Sequence, residues 1–88
     1  MKPTYSIASD YATVSSKYFN AYYGYEITDE YGDWCFEAEF SGVKITIPAS
    51  KLNIKELYNA EEGLLKGIAW VFMAYEINPE RNRLTHSG

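Results

Sequence analysis

The chain has little of what catalytic and metal-binding sites are usually made from. Its 88 residues include one cysteine, Cys35, and one histidine, His86. A single cysteine excludes an intramolecular disulfide and fits a reducing compartment. His86 stands in a polar tail with only Ser87 and Gly88 after it, a poor setting for the convergent groups that catalysis needs. Cys35 lies between Asp33 and Glu37, and neighbouring carboxylates raise a thiol's pKa, against the direction that makes a reactive thiolate. Phosphate loops are missing too, since GYEITDEYG has neither the spacing nor the lysine of one. The segment DEYGDW holds three acids and a glycine, but it lacks the alternating oxygen ligands and closing glutamate of an EF-hand loop. On these grounds no catalytic residue, metal ligand or cofactor is assigned, and a non-enzymatic role is expected.

Long hydrophobic runs are missing as well. The most apolar segment, GLLKGIAWVFMAY, is interrupted by Lys66 and is too short to span a bilayer. The opening MKPTYSIASD lacks the apolar stretch of a signal peptide. A soluble, cytoplasmic protein without membrane partners is the expectation. No repeat, linker or low-complexity tract divides the chain. A single globular domain over residues 1–80 is expected, followed by a flexible tail over 81–88.

Positive charge is absent from one long stretch. Between Lys17 and Lys44 there are six acids and no lysine or arginine, whereas the rest of the chain carries eight bases against six acids. The net charge of −4 leaves no broad basic face for phosphates, so direct nucleic-acid binding is disfavoured. An acidic patch suits a basic partner or simple solubility.

What the chain does have is rings. Nine tyrosines and a 17% aromatic content can supply a core to a small domain, because each ring buries a large area. Three segments alternate as half-buried strands do. Phe19, Ala21, Tyr23, Tyr25 and Ile27 share one face of the first, and Trp34, Phe36, Ala38 and Phe40 one face of the second. Val43, Ile45 and Ile47 do the same in the third, which Pro48 ends. The Ser41-Gly42 link predicts a tight hairpin with Phe40 facing Val43, Glu39 facing Lys44, Ala38 facing Ile45 and Phe36 facing Ile47. A four-residue DEYG loop predicts a first hairpin with Thr28 facing Asp33, Tyr25 facing Phe36 and Tyr23 facing Ala38.

Helical signals follow. Asn59 with Glu62 reads as a capping box, Glu62 with Lys66 as an i,i+4 ion pair, and Asn78-Pro79 as a stop. Asn53 with Glu56 suggests a short earlier turn, and Ile7, Tyr11, Val14 and Tyr18 suggest an N-terminal helix over Asp10–Lys17. The expected fold is therefore α+β: a three-stranded antiparallel β-meander packed on a long C-terminal helix, with an N-terminal helix beside it. On the C-terminal helix, Leu64, Ile68, Val71 and Tyr75 form one apolar stripe. Trp70, Met73 and Ile77 form another, about 100° around the axis. The second stripe needs its own cover: the N-terminal segment, a second copy joined through the helix 64–77, or a foreign partner. Gly63 and Gly67, four apart, would let another backbone come close.

Removing core positions from the acidic stretch leaves Tyr22, Glu26, Asp29, Glu30, Tyr31, Asp33, Glu37 and Glu39 as a candidate partner-binding surface. Cys35 is expected to face outward among them. Carboxylates pair with arginine through forked bonds, and tyrosine adds rigid contact area. The expected role is a non-catalytic inhibitor that blocks a basic, nucleic-acid-binding protein surface by imitating spaced negative charge. In size and charge this is similar to the anti-restriction and anti-CRISPR proteins of phages and mobile elements. A toxin-neutralising immunity protein and a structural or regulatory homodimer are the alternatives.

Overall fold

A computed structural model describes residues 2–78 and 83–84, with the last four of these described by backbone alone. Five strands form one antiparallel sheet in chain order: β1 (Thr4–Ile7), β2 (Tyr11–Ser15), β3 (Phe19–Thr28), β4 (Trp34–Phe40) and β5 (Val43–Pro48). A 3-10 turn, Ala49–Lys51, leads through an irregular segment to the helix α1 (Ala60–Tyr75). Two further short strands, β6 (Ile77–Asn78) and β7 (Arg83–Leu84), pair with each other. The class is α+β, and the meander has five strands where the alternation predicted three. The remainder of the expected tail, residues 81–82 and 85–88, lies outside the described residues.

The two added strands replace the expected N-terminal helix. Residues 11–15 read YATVS, and Ala12 and Val14 are buried two apart, which is the period of a strand. Branched Thr13 and Val14 favour the pleated backbone over the helix. Ser16 then closes the turn into β3: its amide and hydroxyl both donate to Phe19 O, at 2.8 and 3.0 Å, and its hydroxyl accepts from Phe19 N–H at 3.1 Å. The i,i+4,i+7 spacing of Ile7, Tyr11 and Val14 was a coincidence of two strands and a turn.

The β4–β5 pairing has the register that the Ser41-Gly42 turn predicts, from Phe40↔Val43 to Phe36↔Ile47. Ser41 and Gly42 both have positive φ, 50° and 76°, as a tight hairpin requires. The β3–β4 pairing differs from its prediction by two residues: Tyr23 faces Phe36 and Ala21 faces Ala38. A two-residue shift keeps every side chain on its face, so the core assignment survives up to Gly24. Beyond it the ladder breaks, because Gly24 pairs with Cys35 and the next pair is Thr28 with Trp34. Tyr25, Glu26 and Ile27 bulge out of the ladder, and two of their amides find other acceptors. Tyr25 N–H donates to Asp10 O at 3.1 Å, and Glu26 N–H to the Tyr22 phenol oxygen at 2.7 Å. Tyr25, expected inside, is consequently half exposed.

Helix α1 covers the inward face of the sheet, burying Leu64 and Val71 against Val14, Phe19, Tyr23 and Phe36. The approach is close enough to require glycine at two places. A Cβ on Gly63 would overlap the Tyr23 ring, and one on Gly67 would overlap the Phe36 ring. The glycines thus admit rings of the chain's own sheet, and not another backbone. Asn59 caps the helix by accepting from Glu62 N–H at 3.0 Å. The Glu62 carboxylate, however, accepts from Lys55 N–H at 2.9 Å. The expected Glu62–Lys66 ion pair is not formed. The expected turn at Asn53–Glu56 is not helical either: Asn53 has φ 57°, and the 3-10 turn falls earlier. The helix ends at Tyr75, with Glu76 in the left-handed region, so Ile77 belongs to β6. With the N-terminal segment built into the sheet, it does not cover the second helix stripe, and Trp70 and Met73 are exposed.

Candidate binding face

Alternation sends Tyr11, Thr13 and Ser15, Asn20 and Tyr22, Cys35, Glu37 and Glu39, and Lys44 and Thr46 to the face opposite α1. Apart from Gly24 and Cys35, the residues of this face from β2 to β5 are exposed or half buried. Its centre is the Tyr22–Glu37 pair, with Thr46 beyond Glu37. The next row along the strands is Asn20, Glu39 and Lys44, and the Ser15 hydroxyl donates to the Asn20 side chain at 2.9 Å. Glu37 and Glu39 lie about 7 Å apart by strand rise. Glu26 joins them through the bulge, since its amide is tied to the Tyr22 phenol. The structure therefore brings Tyr22, Glu26, Glu37 and Glu39 together, although Tyr22 stands beside Glu37 and not, as expected, beside Glu39.

The loop residues divide differently. Asp29 is engaged by its own hairpin: its carboxylate accepts from Tyr31 N–H at 2.8 Å and Asp33 N–H at 3.0 Å. Its backbone completes the turn, with Asp29 N–H to Asp33 O at 2.9 Å and Gly32 N–H to Asp29 O at 3.0 Å. Gly32 takes φ 85°, a conformation that a side chain there would oppose. Asp33 accepts from the Tyr58 hydroxyl at 3.2 Å, and Tyr58 packs edge-on against Trp34, which packs against Tyr23. Asp29 and Asp33 thus hold the loop in shape, while Glu30 and Tyr31 are exposed at its tip. Tyr58 was not foreseen near the site, because it sits in the irregular segment before α1, where no periodicity marks it.

Cys35 lies on the outward face, as expected, yet it is buried. Its register neighbours are Gly24 and Pro48, and its thiol lies 3.8 Å from Asp33 O, beneath the curled end of the hairpin. Burial pushes the thiol's pKa up, and the charges of Asp29 and Asp33 add to the shift. The phenols respond in the same direction. Partial burial raises Tyr22, with Glu26 adding; the charge of Glu26 raises Tyr25; the hydrogen bond to Asp33 raises Tyr58. At neutral pH these phenols keep their protons and remain able to donate hydrogen bonds.

Surface grooves lie elsewhere. One of about 570 Å³ runs between Lys51–Asn53 and the Lys66, Ala69, Trp70, Met73 and Ala74 positions of α1. Another, of about 420 Å³, is formed by Ile7–Ser9 and residues 56 and 58–61. Neither contains Glu26, Glu37 or Glu39. Among the described residues no three of His, Cys, Asp and Glu gather in a way that could hold a metal ion, and no helix is long and apolar enough to cross a membrane. No family model, curated protein or solved structure matches the chain.

Proposed function

We propose that the protein is a non-catalytic binding protein that uses the open sheet face to occupy a basic, nucleic-acid-binding surface of another protein. The observation that carries this reading is the asymmetry of the sheet. One face is sealed by α1, and the other presents Tyr22, Glu26, Glu37 and Glu39 with Lys44 as the one cation in register beside them. Carboxylates spaced along a rigid strand can accept forked bonds from arginines, and the Tyr22 ring between them supplies contact area at little entropic cost. Charge of one sign steers the encounter, and a geometry fixed by a five-stranded sheet spares the cost of ordering a flexible partner. Glu30 and Tyr31 extend the face at the hairpin tip. The arrangement is of the kind by which an inhibitor takes the place of nucleic acid on its target.

The test is capture from an extract of the native host with the immobilised chain, followed by mass spectrometry and by competition with duplex DNA. A basic nucleic-acid-binding protein should be retained, DNA should displace it, and the triple variant Glu26→Lys/Glu37→Lys/Glu39→Lys should lose it while keeping its circular dichroism spectrum. Equal capture by the folded triple variant would remove the sheet face as the site.

A further inference from the structure

The outer side of α1 is the part of the molecule that the proposed binding face leaves unexplained. From Gly67 to Tyr75 the helix carries no charge, yet only one side of it meets the sheet. Leu65 is 50%, Trp70 37%, Phe72 45% and Met73 81% exposed, with Ala69 and Ala74 exposed among them. At 100° per residue, Leu65, Ala69, Phe72 and Met73 lie opposite the buried Gly63, Gly67 and Val71. A helix that is apolar all round belongs inside something.

We propose that this face is the interface of a homodimer, in which two α1 helices pair antiparallel across a two-fold axis near residue 71. That register sets Met73, the most protruding side chain, against Ala69 of the second copy, and it does so twice by symmetry. Phe72 then lies beside Phe72 of the second copy on one flank of the seam. The electrostatics also favour a copy over an unrelated chain. The first turn of α1 has Glu61 and Glu62, which suit the positive end of the helix dipole, but its last turn has no basic residue. Antiparallel pairing brings Lys66 of the second copy to that last turn. Lys66 is available for this because Glu62 is bonded to Lys55 N–H, and no ion pair among the described residues involves it.

The area is of the right order. The exposed fractions of Leu65, Phe72 and Met73 amount to roughly 300–400 Å² per copy. A standard interface takes about 800 Å² from each partner. Lys66 and Trp70, with the Lys51–Asn53 turn beyond them, border one flank of this stripe, and an interface that reaches over that flank comes to the small end of the specific range. Because α1 lies between this interface and the sheet, the two open sheet faces point away from each other. Bivalent presentation of those faces rests on the proposed function; the interface itself does not.

Sedimentation velocity of the full chain over a range of concentrations tests the interface directly, whatever the chain binds. The expected result is a monomer–dimer equilibrium with a Kd of about 1–100 µM, as suits an interface at the small end of the specific range. Met73→Glu should weaken it at least about 10-fold without changing the fold, whereas Thr46→Glu, on the opposite side, should leave it intact. A wild-type chain that stays monomeric overturns the proposal, because then a foreign partner or another part of the chain covers the helix. A dimer that survives Met73→Glu, or that Thr46→Glu weakens equally, overturns it as well.

Discussion

Replacing Gly67 with alanine should destabilise this protein, and the sign of that effect reports on how the helix meets the sheet. In a solvent-facing helix the same change stabilises by about 1 kcal/mol, since alanine has the best helix propensity and glycine nearly the worst. Here the added methyl would fall inside the ring of Phe36, a side chain with no exposed surface, held between Tyr23 and Ile47 in register. Carbon atoms rest about 3.5–4.0 Å apart, so the helix or the ring must move by more than an ångström. Forcing extra volume into a packed core typically costs about 1–3 kcal/mol, occasionally more. Subtracting the propensity gain leaves a net loss of up to about 2 kcal/mol, a fall in Tm of up to roughly 15 °C for a domain of this size. Thermal and urea melts followed by far-ultraviolet circular dichroism would read it. A companion variant sharpens the reasoning. Phe36→Leu alone opens a cavity, but combined with Gly67→Ala it makes room for the methyl, so the double variant should lose less than the two single losses added together. A higher Tm for Gly67→Ala, or strict additivity in the double variant, would mean that helix and ring are not in contact and that the packing derived from these glycines is wrong.

Two smaller perturbations address the hydrogen bonds behind the site. Tyr23 donates to Leu57 O at 2.6 Å, so Tyr23→Phe leaves a carbonyl without its partner and should cost about 1–3 kcal/mol in urea melts. Burial pushes the Tyr23 phenol up to about 12 from an ordinary 10.0, and the thiol of Cys35 adds to the shift. The unfolded chain therefore loses that proton first as pH rises. The stabilising contribution is whole below pH 10.0 and is lost towards about 12, and the Tyr23→Phe variant should lack this part of the alkaline decline. In the hairpin, Asp29→Ala removes the acceptor of two loop amides and should cost about 1 kcal/mol, as the loss of a side-chain cap does. Glu30→Ala, one residue on and exposed, should be neutral in the same melt.

These contrasts follow the line between what the sequence made legible and what it did not. The β4–β5 register could be read because a two-residue turn leaves one pairing and both strands alternate through it. For the same reason parity alone placed Tyr22, Glu37 and Glu39 on one face. The β3–β4 register could not be read in the same way. Residues 19–28 alternate without interruption in sequence, yet Tyr25 N–H goes to Asp10 O and Glu26 N–H to the Tyr22 phenol. Neither acceptor belongs to the neighbouring strand β4, and the one local cue is Gly24, a glycine within the strand that marks a bulge but not its extent. The N-terminal strands were missed because a five-residue segment, YATVS, offers too few turns of either period to choose between them.

The acids of the loop mark the limit of reading charge as function. Asp29, Glu30 and Asp33 are alike in composition, but their surroundings give them different work. An aspartate followed three residues later by a glycine is a turn signature, and it could have flagged Asp29 as an acceptor for its own backbone. No such local cue exists for Asp33, whose partner Tyr58 is 25 residues away. A carboxylate that already accepts hydrogen bonds at home gains less from an arginine, because those bonds stabilise its charge in the free protein as well as in the complex. The acids best able to contribute to a complex are therefore Glu30, Glu37 and Glu39, none of whose side chains accepts a hydrogen bond from another described residue, followed by Glu26, which takes one from the neighbouring Tyr25 phenol. That is why the charge reversal falls on the sheet glutamates and the loop aspartates serve as a test of stability. Loss of capture on changing Asp29 would report a misshapen hairpin, whereas loss on reversing Glu37 and Glu39 with the fold intact would report the face itself.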